Sequence, residues 1–125
     1  MSEKMAKKKI MVVDDEENLV ELVKAVLEQE GFEVIPAYSG MECLAKLKKI
    51  KPDLVLLDMF MPGISGRETC GRIRRDPKTK DLKVIFLTVA AFREMEGVLR
   101  EMNISDYIRK PFDNADLIRR VKKVL

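Results

Sequence analysis

The sequence predicts one doubly wound α/β domain in which five strands of a parallel sheet, in the order 2-1-3-4-5, alternate with five helices. Three observations lead there. Short apolar runs alternate with segments whose apolar residues recur at helical spacing, the pattern of successive βα units. The run Leu54-Val55-Leu56-Leu57 has no polar position, so it belongs in the middle of a parallel sheet covered by helices on both faces. The second run carries Pro36, which would forfeit a ladder hydrogen bond in a central strand and therefore belongs at an edge.

Taken in order, Ile10-Met11-Val12-Val13 is a first strand ending in the acids Asp14-Asp15-Glu16-Glu17. Leu19, Val20, Leu22, Val23, Val26 and Leu27 then trace the inner face of a helix that Gly31 terminates. Glu33 to Pro36 is the edge strand. Ser39 and Glu42 have the spacing of a capping box and open a second helix, with Leu44 and Leu47 inward and a lysine-rich outer face up to Lys51. Pro52 separates it from the central strand, and Pro62-Gly63 breaks the chain soon after Asp58.

Ser65 and Glu68 form a second capping box, opening a third helix that runs to about Arg75. Arg72, Arg74 and Arg75 read as its solvated face. Val84 to Leu87 is a fourth strand, ending in Thr88. The fourth helix, from about Phe92 to Met102, lacks a clear N-cap and is interrupted by Gly97, at a cost of about 1 kcal/mol. Asn103 suits a left-handed cap at its end. Ser105 to Ile108 is the last strand, and Asp113 with Asp116 caps a final helix built on Leu117, Ile118, Val121, Val124 and Leu125.

The totals bound the function. A chain of 125 residues is one domain with room for a sizeable core. No apolar run approaches the roughly 18 residues of a membrane span, and no signal-peptide pattern opens the chain, so a soluble cytoplasmic protein without membrane insertion is expected. Four lysines (Lys4, Lys7, Lys8, Lys9) against Glu3 account for the whole net charge of +3, leaving the remainder balanced. A nucleic-acid binder carries its excess on a face of the fold, not on a tail, so no direct nucleic-acid role is expected. Residues 1–7 are expected to be a disordered basic tail, with the folded domain over 8–125. Cys43 and Cys70 fall in helices and read as free thiols. With no histidine, the commonest general base and metal ligand is missing.

In such a sheet, ligands sit beyond the carboxyl ends of the strands. Those ends place Asp14-Asp15, Asp58, Thr88 and Lys110 around one crevice. Three carboxylates a few Å apart cannot all stay ionised without a shared proton or cation. The all-oxygen donor set suits Mg²⁺, and Mn²⁺ also fits. A carboxylate nucleophile, a hard cation, a hydroxyl and a lysine are the parts of phosphoryl transfer onto an aspartate. Taken singly, each acid reads equally well as a helix cap and Lys110 as a surface residue. Four polar sites at four strand ends favour a shared site.

The segments V-V-D-D-E (12–16), L-L-D-M-F-M-P-G (56–63) with Gly66, Thr88, and Y-I-R-K-P-F (107–112) together give the chain a specific resemblance to the receiver domain of two-component response regulators. It is similar to the small stand-alone chemotaxis type of that family, over nearly all of its length, which makes the expected fold flavodoxin-like. The resemblance implies that Asp58 is the phosphoacceptor, taking a phosphoryl group from a sensor histidine kinase or phosphotransfer protein. It implies that Asp15, Asp58 and the Phe60 carbonyl ligate Mg²⁺, with Asp14 acting directly or through water. Lys110 would bind the phosphoryl group and, at rest, an Asp58 oxygen, ahead of a cis bond to Pro111. Thr88 would move toward the phosphoryl group and Tyr107 would swing inward behind it. That motion would remodel the surface of helix four, strand five and helix five for a downstream protein partner. Pro62 and Gly66 would shape the loop after the acceptor.

Some residues depart from the family pattern. Val89 stands where a small residue is usual, and Phe60 where polar residues are frequent, so an apolar ring there is expected to exclude hydrolytic water. Ala90 offers no group to orient water, and Asn103-Ile104 replaces a small pair before the last strand. Besides a structural or binding module that uses only the flavodoxin-like shape, two other readings compete. One is a receiver fragment of a longer DNA-binding regulator or hybrid histidine kinase. The other is a Mg²⁺-dependent phosphohydrolase with an aspartyl-phosphate intermediate, against which stand Met59 and Phe60 where a second acid is expected.

Overall fold

The computed structural model describes residues 7–125. It contains β1 (Lys9–Val13), α1 (Glu17–Gln29), β2 (Glu33–Ala37), α2 (Gly40–Leu47), β3 (Leu54–Leu57), α3 (Gly66–Arg75), β4 (Lys83–Thr88), α4 (Phe92–Glu101), β5 (Asp106–Arg109) and α5 (Asn114–Val124). The strands form one parallel sheet in the order β2-β1-β3-β4-β5. This is the flavodoxin-like order expected from the sequence. Pro36 pairs only with Val12 from its edge strand, so its missing N–H faces no second neighbour. The expected tail lies almost wholly outside the described residues.

Alternation along the strands divides the core in two. Met11, Val13, Val55, Leu57, Val84 and Phe86 face a layer that includes Cys43, Cys70, Ile73, Met95 and Val98 from α2, α3 and α4. Ile10, Val12, Leu54, Leu56, Ile85 and Leu87 face Val20, Val23, Leu27, Leu117 and Val121 from α1 and α5. All four β3 side chains are fully buried, each contributing roughly 1.5–3 kcal/mol of hydrophobic burial. A core filled on both sides of β3 fixes where Asp58, the next residue, emerges.

Several local expectations shift. α2 ends at Leu47 rather than near Lys51. Its last bonds tighten to the i−3 pattern, Lys48 to Ala45 and Lys49 to Lys46, and Pro52 disfavours helical backbone at the residue before it. At α2 the Ser39 hydroxyl accepts from the Glu42 N–H at 3.0 Å, but Glu42 reaches back to the Tyr38 N–H rather than that of Ser39. Ser65 caps α3 in the same way, whereas Glu68 turns to Arg72 instead of closing the box. Leu22 lies 47% exposed, because only Val20, Val23 and Leu27 of α1 point squarely at the sheet. Gly31 (φ 93°) and Asn103 (φ 55°) adopt the left-handed conformation expected at the ends of α1 and α4. Cys43 and Cys70 are free and buried; burial pushes the Cys43 thiol up to about 12. Among the described residues no helix is long and apolar enough to cross a membrane.

Candidate phosphoacceptor site

The ends of β1 and β3 are tied together before any side chain is considered. The Asp58 N–H donates to the Val13 carbonyl at 3.0 Å, and the Asp14 N–H donates to the Ala37 carbonyl at 3.1 Å. Each acid therefore leaves its strand at a fixed height. The Asp14 and Asp58 residues are buried, Asp15 is exposed, and one carboxylate oxygen from each lies within 4.8 Å of the others. The predicted acids thus converge on one cluster.

Lys110 reaches this cluster from the end of β5. Its backbone N–H donates to the Thr88 carbonyl at 2.8 Å, which sets the side chain across from β1 and β3. The ammonium lies 2.6 Å from Asp14 Oδ2, 3.5 Å from Asp58 Oδ2 and 3.8 Å from Glu16 Oε1. The expected resting partner was Asp58; the structure gives Asp14 the shorter bond. Asp58 Oδ1 is turned to its own loop, accepting from the Phe60 N–H at 3.3 Å. Asp14 Oδ1 in turn accepts from the Glu16 N–H at 3.0 Å. Both Asp14 oxygens are therefore engaged, while the Asp58 carboxylate keeps acceptor capacity.

The electrostatics follow from this crowding. Burial raises the Asp58 pKa, the Asp14 charge adds to it, and Lys110 with the Phe60 N–H pulls the other way without cancelling it. For Lys110 burial alone would lower the value, but the Asp14 hydrogen bond and the charges of Asp58, Asp14 and Glu16 outweigh it, so its pKa is raised. One ammonium against three carboxylates leaves the pocket short of positive charge. A hard divalent cation fits that deficit and the all-oxygen donor set.

The loop after Asp58 is shaped by its glycines. The Gly66 N–H donates to the Met59 carbonyl at 2.8 Å, and a Cβ at Gly66 would collide with the Asp58 carbonyl oxygen. Gly63 follows Pro62 with φ 81° and turns the chain back. Met59 is packed in the core, and the Phe60 residue is 59% exposed.

Thr88 is fully buried at the end of β4, its Oγ1 accepting weakly from the Ala90 N–H at 3.4 Å. Among the described residues its own hydroxyl proton has no acceptor. The Tyr107 hydroxyl donates to the Ala90 carbonyl, in the segment that follows Thr88. Its ring meets Phe92 edge-on at 6.0 Å. The Lys110–Pro111 peptide is cis, as the resemblance implied.

Sequence reasoning missed Glu16, the Ala90 carbonyl and the packing of the Phe92 ring on Tyr107. Glu16 was signalled only by its place in the D-D-E-E run. It also missed a groove lined by Leu19, Leu22, Val89, Pro111 and Phe112 that opens beside Lys110.

Comparison with known proteins agrees with this geometry. Residues 10–122 match the family described as the response regulator receiver domain. The chain is 38% identical over 121 residues to the phosphate regulon transcriptional regulatory protein PhoB of Pseudomonas aeruginosa, covering 97% of this chain and 53% of that protein. It is 40% identical over 119 residues to the alkaline phosphatase synthesis transcriptional regulatory protein PhoP of Bacillus subtilis, covering 94% and 48%. It thus spans about half the length of these curated relatives. Among solved structures, the response regulator TrrA of Thermotoga maritima in complex with Mg²⁺-BeF is 42% identical, with a TM-score of 0.84 and 94% and 99% of the two chains covered. The chemotaxis protein CheY4 of Vibrio cholerae is 28% identical, with a TM-score of 0.90 over 96% and 100%. A family match over almost the whole chain, joined to an acidic pocket faced by a lysine, has one meaning: the chain belongs to the response regulator receiver domain family.

Proposed function

We propose that this chain is a phosphorylation-driven signalling switch. Asp58 takes a phosphoryl group from a phosphohistidine on a sensor histidine kinase or phosphotransfer protein. An Asp58 oxygen forms the new P–O bond as the P–N bond breaks, and the imidazole keeps the electron pair and is reprotonated. The observation that carries this reading is the meeting of Asp14, Asp15 and Asp58 within 4.8 Å under the Lys110 ammonium.

Asp15, Asp58 and the Phe60 carbonyl are the proposed Mg²⁺ ligands, with Asp14 acting through water because its oxygens are already engaged. The cation, when bound, neutralises the carboxylates and the transferring oxygens. Lys110 has two tasks. At rest it offsets the acid cluster; after transfer it pairs with a phosphoryl oxygen. The uncommitted Thr88 hydroxyl proton supplies a further donor.

Phosphorylation adds roughly −1.5 to −2 charge and strong acceptor oxygens. The state that brings Thr88 toward those oxygens is stabilised, and the population shifts toward it. The Tyr107–Ala90 bond and the Phe92–Tyr107 contact carry the shift to α4, β5 and α5, where a downstream protein docks. The groove of Leu19, Leu22 and Phe112 gives a donor protein an apolar footing beside the site. That the named curated relatives are about twice as long favours a second reading, in which this is the receiver portion of a longer regulator.

Intact mass measured after incubation with Mg²⁺ and a small phosphodonor tests the chemistry. One added phosphoryl group is expected on the wild type and none on Asp58→Asn. Stable label on another residue of that variant would sink the assignment.

A further inference from the structure

α4 is held very differently at its two ends. At its start the N-cap is Ala91, which has no side-chain oxygen, and the nearest substitute is the Glu94 carboxylate accepting from the Ala91 N–H at 2.9 Å. Its finish is a Schellman motif. The Ile104 N–H donates to the Leu99 carbonyl at 2.9 Å and the Asn103 N–H to the Arg100 carbonyl at 3.3 Å.

A second device sits on that end. The Arg74 guanidinium, from α3, donates through Nε to the Met102 carbonyl at 2.8 Å and through Nη2 to the Asn103 carbonyl at 3.2 Å. Its Nη1 donates to the Lys80 and Leu82 carbonyls at 2.9 and 2.7 Å. One side chain thus joins the C-cap of α4 to the segment leading into β4. The sequence read Arg74 as solvated, but among the described residues it has no carboxylate partner and spends its donors on backbone. Helix-end carbonyls lack intrahelical partners and favour a cation, so this is a fitting place for a guanidinium.

The aromatic and hydrogen-bonded link from α4 to the Thr88 segment starts at the opposite end. Phe92 packs on Tyr107, and Tyr107 bonds Ala90. Gly97, midway along, has no neighbouring atom within reach of a Cβ and no side chain to stiffen the helix.

We propose that Arg74 is a positioning residue that makes the C-terminal end of α4 a fixed pivot, confining the response of that helix to its first turns, from Phe92 to about Val98. This rests on the switch reading above. It also specifies that the surface offered to a partner changes around Phe92 and not around Met102.

Amide hydrogen exchange on the whole chain, with and without Mg²⁺ and beryllofluoride as a phosphoryl mimic, tests it on wild type, Arg74→Met and Arg74→Lys. In the wild type the probe should change exchange across 93–98 and leave Met102, Asn103 and Ile104 within about twofold. Without the probe, Arg74→Met should exchange those three amides about tenfold faster, the scale of one lost net hydrogen bond. With the probe, the responding region should now extend to Ile104. Arg74→Lys, which keeps the charge but not the fork, should fold and restore part of the wild-type pattern. A purely structural arginine would lower protection evenly and leave the responding set unchanged, which overturns the pivot. So does a wild type whose C-terminal amides respond as strongly as the N-terminal ones. Fluorine NMR separates the two ideas. No bound beryllofluoride signal in the wild type overturns the switch and the confinement with it, whereas unchanged exchange at Met102–Ile104 in probe-free Arg74→Met overturns the pivot alone.

Discussion

The Lys110 ammonium closes on Asp14 at 2.6 Å and stands 3.5 Å from Asp58, so the lysine holds the acid that is not the proposed acceptor. It therefore competes with a divalent ion for the same carboxylates. Lys110→Ala should bind Mg²⁺ at least as tightly as the wild type in a calorimetric titration. Its stability without divalent ions should fall by roughly 2–4 kcal/mol, since buried acids lose the one ammonium that pairs with them among the described residues. Markedly weaker Mg²⁺ binding would mean that Lys110 organises the acids and does not merely offset them.

Asp58 has the opposite relation to stability. Burial first, and then Asp14, raises its pKa above the ordinary 3.8. In the interval between that value and the raised one, the native chain keeps a proton that the unfolded chain has released. Stability therefore falls as pH rises through this interval, and the penalty is complete above it. Asp58→Asn removes the charge while its amide oxygen can still accept from the Phe60 N–H. In chelator at neutral pH its melting temperature should exceed that of the wild type by about 2–6 °C. The gap should narrow at acid pH or on adding Mg²⁺. A variant less stable than wild type at neutral pH contradicts the account.

What the sequence made legible was whatever depends on one element at a time. The all-apolar 54–57 run, Pro36 at the edge and the left-handed Asn103 were readable because burial, ladder bonding and φ are properties of single segments. The convergence of Asp14, Asp15, Asp58 and Lys110 was readable because strand order fixes which ends are neighbours. What stayed hidden depends on where long side chains end up. Arg74 and Met102 are 28 residues apart, and nothing in an R-x-R-R run says which guanidinium will find carbonyls. The preference of Lys110 for Asp14 was hidden likewise, because it turns on where the ammonium at the end of a long side chain comes to rest between two neighbouring carboxylates. Leu22 matched the helical spacing and still lies outside, since the stripe on α1 is wider than the sheet it covers.

Two glycines should respond oppositely to the same added methyl. At Gly66 a Cβ meets the Asp58 carbonyl and the Met59 Cα, backbone atoms that cannot step aside. Gly66→Ala should cost about 2 kcal/mol or more and weaken Mg²⁺ binding, because it displaces the acceptor loop. At Gly97 the space is open within a helix, so Gly97→Ala should stabilise by about 0.5–1 kcal/mol. Urea denaturation of both variants checks the pair. A neutral Gly66→Ala would mean that the loop is not held where its contacts place it.

Thr88 separates acceptance of the phosphoryl group from the response to it. Its hydroxyl is buried at the end of β4 and, among the described residues, hydrogen-bonds no carboxylate and has an uncommitted proton. Thr88→Val keeps the volume and removes that donor. Phosphorylation by a small donor should proceed within about threefold of the wild-type rate, because nucleophile, acids and lysine are untouched. The change in exchange at residues 93–98 on phosphorylation should be lost, and Thr88→Ser should restore it. If Thr88→Val responds as fully as the wild type, the signal leaves Asp58 by another route, and Lys110 is the group to test next.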